Sequence, residues 1–192
     1  MIIEFGHFCL VLALIVAVLQ SVVPIWGVRT DNAAAMRFAD HAAEIQFLAT
    51  ATAFAVLTYA YVVSDFSVLN VALNSHSAKP MLYKVTGVWA NHEGSMLLWV
   101  LILTLFSVLI AFFGKGIPVS MRAIVLAVQA MIAVGFLAFI LLTSNPFERI
   151  ANPPLDGQGM NPLLQDPGVV AASLWSLEEI QTVTPGTPVT VG

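Results

Sequence analysis

Four long apolar runs alternate with polar stretches along this chain. They cover residues 8–28, 45–64, 95–113 and 123–143, and none contains Asp, Glu, Lys, Arg or His. Because an α-helix rises about 1.5 Å per residue, roughly 20 residues are enough to cross the hydrocarbon core of a bilayer. The pattern therefore predicts an all-α, polytopic membrane protein with four transmembrane helices.

The polar stretches predict the connections between these helices. Residues 29–44 read as a short polar loop, and 114–118 as a tight turn rich in glycine. The longest connection, 65–94, predicts a segment on the membrane surface at 66–73 and a turn at 74–80. Within the first helix, Pro24 predicts a kink near Gln20, whose side chain we expect to bond to the freed backbone or to a neighbouring helix.

Composition supports a membrane protein and narrows its class. Hydrophobic residues make up 59% of the 192 residues and charged residues only 9%, whereas a soluble domain has about 25% charged residues. The net charge of −4 gives no reason to expect nucleic acid as a partner. The single cysteine, Cys9, cannot form an internal disulfide, and no C-x-x-C-H sequence for covalent heme is present.

Lysine and arginine predict the orientation in the membrane. Arg29, Arg37, Lys115 and Arg122 lie in the two short connections 29–44 and 114–122. The rule that cytoplasmic loops are positively charged places these connections in the cytoplasm. The N-terminus, the connection 65–94 and the C-terminus are then outside, which is the periplasm in a Gram-negative bacterium.

One stretch, 85–100, combines a histidine, a carboxylate and two tryptophans at the start of the third apolar run. Asn91 is a suitable N-cap, which would place Glu93 in the first turn, where the helix dipole favours a negative charge. Helical spacing puts His92, Ser95 and Trp99 on one face. The candidate site is a surface for a partner, made of Trp89, His92, Glu93, Ser95 and Trp99.

Two interpretations of this stretch remain open. Tryptophans at a membrane boundary and a polar cap before a transmembrane helix are ordinary structural features. The alternative is a working surface in which the charge of Glu93 is used. Neither interpretation assigns a catalytic residue or a metal site, because one histidine and one glutamate do not make either.

Three ordered blocks of residues resemble the family of cytochrome c maturation protein F. The resemblance runs from about residue 3 to residue 168, and its blocks are Trp89-(x2)-His92-Glu93-Gly94-Ser95-(x)-Leu97-Leu98-Trp99-Val100, Thr143-Ser144-Asn145-Pro146-Phe147 and Asn161-Pro162-Leu163-Leu164-Gln165-Asp166-Pro167-Gly168. This resemblance implies a membrane module of a heme lyase, which attaches heme covalently to apocytochrome c in the periplasm. It also implies the bacterial inner membrane as the location.

The resemblance further implies heme as the cofactor, so the surface made of Trp89, His92, Glu93, Ser95 and Trp99 is a candidate for contact with the heme edge as well as with a partner. The partners it implies are other heme-ligation subunits, a periplasmic heme chaperone and apocytochrome c, besides membrane lipid. Family members are much longer, and their heme-handling segment lies beyond the last matching block. We therefore expect that this chain alone neither binds heme stably nor acts alone, and whether it is itself an enzyme stays open.

The end of the chain departs from the family after residue 168. We expect a four-helix transmembrane module over 1–144, a periplasmic segment rich in proline and asparagine over 145–168, and a disordered tail over 169–192, as truncation or a shifted reading frame would give. Two other classes remain: a subunit of a small-molecule or proton translocator, which would need ionisable residues within the spans, and a purely structural membrane fragment.

Overall fold

Four long helices dominate residues 1–158, which are the residues that the structure, a computed structural model, describes. They are α1 (Ile2–Arg29), α2 (Ala33–Val62), α5 (His92–Phe113) and α6 (Val119–Thr143). Each is long and apolar enough to cross a membrane, which confirms the predicted all-α class and the four spans. Two short helices, α3 (Leu69–Asn74) and α4 (Met81–Gly87), precede α5, and a 3-10 turn at Gly114–Gly116 leads into α6.

Small residues let α1 and α2 pack closely as an antiparallel pair. A Cβ atom added at Gly27 would lie 2.7 Å from the Cβ of Ala35, and one added at Gly6 would lie 2.7 Å from a methyl carbon of Val56. Alanines of α2, among them Ala53 and Ala60, are fully buried. Such close backbone approach is typical of helix pairs in membranes. Helix α6 packs against α1, α2 and α5, and α5 lies against α2 and α6.

Polar side chains connect the helices within the bundle. The Gln20 side chain donates a hydrogen bond to the carbonyl of Ala39 at 3.0 Å, which confirms its predicted bond to a neighbouring helix. The hydroxyls of Thr50 and Thr104 join α2 to α5 at 3.0 Å. Ser107 Oγ donates to the side chain of Gln129 on α6, also at 3.0 Å. In lipid such hydrogen bonds favour helix association.

The predicted loop over residues 29–44 was wrong for most of its length. Only Thr30, Asp31 and Asn32 separate α1 from α2, and Asn32 caps α2 by accepting hydrogen bonds from the amides of Ala34 and Ala35. Residues 33–44 form the first three turns of α2. Their charged side chains suggested a loop, but they occupy the end of a helix that continues into the membrane.

A buried ion pair holds the end of the bundle at which α2 and α6 begin. We call this end the clamp end. Arg122 donates two hydrogen bonds to the Asp40 carboxylate, both at 2.9 Å, and a third to the carbonyl of Gly114 at 3.1 Å. This clamp joins α2, α6 and the turn between α5 and α6, and it is mostly shielded from water, because Arg122 is only 9% exposed and the Asp40 side chain 20%.

Two connecting segments cover the opposite end of the bundle, and together residues 65–80 and 145–158 are here called the cap. An antiparallel bridge joins Val68 to Arg149. The amide of Leu69 donates to the carbonyl of Glu148 at 2.8 Å, and the amide of Ile150 to the carbonyl of Ser67 at 2.9 Å. The proposed separation of 145–168 as a segment of its own remains a prediction, and residues 159–192, including the expected disordered tail, lie outside the described residues.

The prediction that residues 66–73 lie on the membrane surface was wrong for the centre of that segment. Val68 and Val71 are completely buried and Ala72 is 2% exposed, because the segment packs into the hydrophobic core together with Phe147 of the other cap segment. The apolar residues that suggested contact with lipid are instead in contact with protein.

Candidate functional site

The start of α5 forms as the sequence predicted. Asn91 is the N-cap residue, and its side-chain oxygen accepts a hydrogen bond from the amide of Gly94 at 2.8 Å. Helix α5 begins at His92, so Glu93 lies in its first turn. The cap satisfies one of the free amides of the helix and fixes where the apolar run begins.

Gly94 has a structural role that the motif did not reveal. A Cβ atom at this position would lie only 1.6 Å from the carbonyl oxygen of Val88 and 2.8 Å from its carbonyl carbon. The chain before α5 therefore folds back onto the first turn of the helix, and only glycine leaves room for it.

A buried polar network lies beside this turn and joins α2, α3 and α5. The hydroxyl of Tyr61 donates to Asn70 Oδ1 at 2.6 Å, and Asn91 Nδ2 donates to the Tyr61 hydroxyl at 2.9 Å. The side-chain nitrogen Nδ2 of Asn70 donates to Asn91 Oδ1 at 2.9 Å and to Glu93 Oε2 at 3.1 Å. With Asn70 only 4% exposed, this network fixes the direction of the Glu93 carboxylate.

The opposite face of α5 forms an apolar groove with α6. The rings of His92 and Phe139 meet edge to face with centroids 6.2 Å apart, and the rings of Trp99 and Phe136 are 6.5 Å apart. The groove has a volume of about 440 Å³, and its lining residues are His92, Met96, Met131, Ile132, Gly135, Phe136 and Phe139. Trp99 is 65% exposed and borders a second groove on the same two helices.

The structure thus divides the five residues of the predicted surface. His92 and Trp99 share the face of α5 that turns toward α6. Ser95 bonds locally to the carbonyl of His92 at 2.9 Å, and Trp89 is exposed just before α5. Glu93 differs, since its carboxylate accepts its hydrogen bond from Asn70 on the interior side. Whether these residues meet heme or a partner stays a prediction.

Tyr61 and Asn70 complete the site, and sequence reasoning missed both. Tyr61 lies near the end of the second apolar run, where a tyrosine reads as an ordinary membrane-boundary residue. Asn70 is the one amide side chain within the apolar stretch 66–73. That isolated polar residue was the available signal, because a buried amide needs hydrogen-bond partners.

Charges in the cap are held by specific contacts. Asp156 accepts hydrogen bonds from both the hydroxyl and the amide of Ser77. These bonds lower the pKa of Asp156 to about 2, and the His76 ring, 3.6 Å away, acts in the same direction. Burial lowers the pKa of Lys79, whose ammonium group donates to the carbonyl of Asn74 at 2.9 Å.

A metal centre is not assembled within residues 1–158, because the structure brings together no group of three His, Cys, Asp or Glu side chains there. His92 is exposed and lies at one end of the apolar groove.

These features define a class of protein: a four-helix membrane module whose third long helix starts in a capped, polar-lined site. A protein of known structure shares this architecture. A cytochrome c heme lyase CcmF of known structure superimposes with a TM-score of 0.71 and is 28% identical, and the match covers 79% of this chain and 26% of that one.

Sequence comparison gives the family. The family described as cytochrome C assembly protein matches residues 89–171, from Trp89 of the candidate site onward. The cytochrome c-type biogenesis protein CycK of Rhizobium meliloti (strain 1021) is 57% identical over 169 residues, 88% of this chain and 25% of the relative. CcmF of Escherichia coli (strain K12) is 47% identical over 168 residues, 87% of this chain and 26% of the relative.

The chain belongs to the CcmF-type family of cytochrome c-type biogenesis proteins. It spans about a quarter of the length of the curated relatives it matches.

Proposed function

We propose that this chain provides a membrane module of a heme-ligation protein that helps to attach heme covalently to apocytochrome c. The observation that carries the proposal is the 57% identity to CycK over 169 residues, a stretch long enough to include all four long helices. Since the chain spans about a quarter of such relatives, we propose that the module supports the reaction and does not complete it alone.

The proposed location is the bacterial inner membrane, with both termini and the cap in the periplasm. Arg29 and Arg37, at the clamp end of the bundle, support this orientation by the rule for positive loops. Cysteines introduced at Thr30 and Pro80 test it by labelling intact cells. We expect Pro80→Cys to react from outside and Thr30→Cys to be protected, and the opposite pattern would contradict the orientation.

The proposed working surface is the face of α5 that carries His92 and Trp99, together with Trp89 and Ser95. Its support is the open apolar groove, in which His92 and Met96 stand one turn apart beside Phe136 and Phe139. Aromatic and thioether side chains suit contact with the edge of a large flat ring. Such a surface could meet heme in transit, and we expect no stoichiometric, stable heme on this chain alone.

The proposed partners are other heme-ligation subunits, a periplasmic heme chaperone and apocytochrome c. Affinity capture of the tagged chain from membranes that also contain the heme-ligation subunits tests this proposal. We expect the subunits to be captured with the chain, and less of them with Trp99→Ala. The matched control is Phe113→Ala, an exposed aromatic residue at the other end of α5. Capture of the folded chain without any of the subunits would contradict the proposal.

A further inference from the structure

Helix α4 presents its apolar side outward and its charged side chain inward. Met81, Leu82 and Tyr83 are 56%, 70% and 60% exposed. Lys84 is the one charged residue within 80–90, and its ammonium group donates to Ser64 Oγ at 2.7 Å, toward the protein. A helix at the surface of a soluble protein shows the reverse arrangement, so this face requires an apolar or half-apolar environment.

Contacts at the middle and at the C-terminal end of α4 fix its depth relative to the spans. Ser64, which holds Lys84, lies two residues beyond the end of α2. Asn91, directly before α5, donates to the carbonyls of Gly87 and Val88 at 3.0 and 3.1 Å. Helix α4 is therefore held where one membrane-spanning helix ends and the next begins, at the level of the boundary between hydrocarbon and water.

We propose that α4 is an interfacial helix that inserts Met81, Leu82 and Tyr83 among the phospholipid headgroups and upper acyl chains. The aromatic residues in and directly after α4 favour lipid over a protein partner, because tyrosine and tryptophan concentrate at this level, with the ring in the apolar zone and the polar tip toward water. Tyr83 and the exposed Trp89 fit that pattern. Because α4 is bound to Asn91, its insertion sets the depth of the start of α5 and of His92.

Spin labels on the full chain in phospholipid nanodiscs test this placement. The buried Cys9 is first replaced by alanine, and single cysteines are then introduced at Leu82, at Ala78 and at Phe106. Ala78 is an exposed residue of the same connection before α4, and Phe106 is exposed in the middle of α5. Collision of each label with apolar oxygen and with a water-soluble nickel chelate gives its depth.

We expect oxygen to outweigh the nickel chelate at Leu82, as at Phe106, and the ratio to reverse at Ala78. A label at Leu82 that behaves like the label at Ala78 would overturn the proposal, because α4 would then lie in water. Protection of Leu82 from both reagents would overturn it too, because protein would then cover the face. If Leu82→Cys does not insert, Tyr83→Cys provides the same comparison.

Discussion

Glu93 offers the sharpest separation of a structural role from a functional one. Glu93→Gln keeps an oxygen that can accept the hydrogen bond from Asn70, 3.1 Å away, but removes the charge. The lost interaction with the helix dipole costs about 0.3–1 kcal/mol, and a neutral hydrogen bond is about 1 kcal/mol weaker than a charge-assisted one. We therefore expect a loss of about 1–2 kcal/mol in the free energy of unfolding.

Glu93→Ala should cost more than Glu93→Gln. It leaves one N–H of Asn70 without an acceptor, and Asn70 is only 4% exposed. An unsatisfied buried donor costs about 1–3 kcal/mol in addition. Thermal unfolding of the purified chain in detergent measures both variants, and for a protein of this size 1 kcal/mol corresponds to about 2–4 °C. Equal melting temperatures for the two variants would refute the hydrogen bond to Asn70.

A functional role of Glu93 is tested in a chimera, which is a full-length CcmF-type relative whose matching quarter is replaced by residues 3–168 of this chain. If the charge of Glu93 is used, Glu93→Gln should reduce covalent heme on cytochrome c while the membrane level of the chimera is unchanged, and Glu93→Asp should reduce it less. Normal heme attachment in Glu93→Gln would show that the charge of Glu93 is not used and that its role is to stabilise the start of α5.

Three further predictions concern stability and charge. Gly94→Ala should lower the free energy of unfolding by about 3 kcal/mol or more, because its Cβ would lie 1.6 Å from a carbonyl oxygen. The control Gly135→Ala, with open space around its Cβ, should be neutral or stabilising. Equal melting temperatures for the two variants would contradict the close approach at Gly94. Arg122→Met should lower the free energy of unfolding by an amount toward the lower end of about 3–5 kcal/mol, because it leaves the Asp40 carboxylate without its partner. In a double-mutant cycle, adding Asp40→Asn should recover part of this loss. Strictly additive losses would show that the pair is not coupled. The pKa of Asp156 is lowered to about 2 from its ordinary 3.8, so its contribution to cap stability should be complete above the ordinary pKa and lost as pH falls through about 2; a carboxyl NMR titration with a midpoint near 4 would contradict this.

Local pattern was sufficient for the elements that depend on sequence alone. The four apolar runs specified the long helices, because a membrane permits few other structures. Asn91 was recognisable as a cap because its side chain bonds within its own turn. Gln20, isolated in an apolar helix, indicated a bond to a neighbour, which the structure places at Ala39.

Features that depend on tertiary contact could not be read in the same way. Charged residues in 33–44 suggested a loop, yet Asp40 is paired with Arg122 from α6, 82 positions along the chain. The apolar segment 66–73 suggested lipid, but the cap segment 145–158 covers its centre. For the same reason Glu93 was placed on a surface with His92, although Asn70 directs it inward.

Heme attachment by the unsubstituted chimera tests the central proposal most directly. Cells that lack their own CcmF-type protein receive the chimera, and covalent heme on a reporter cytochrome c is measured by heme staining against the intact relative. If this chain is a working module of heme ligation, the chimera should restore heme attachment. A chimera that reaches the membrane at the level of the intact relative but attaches no heme would contradict the proposal.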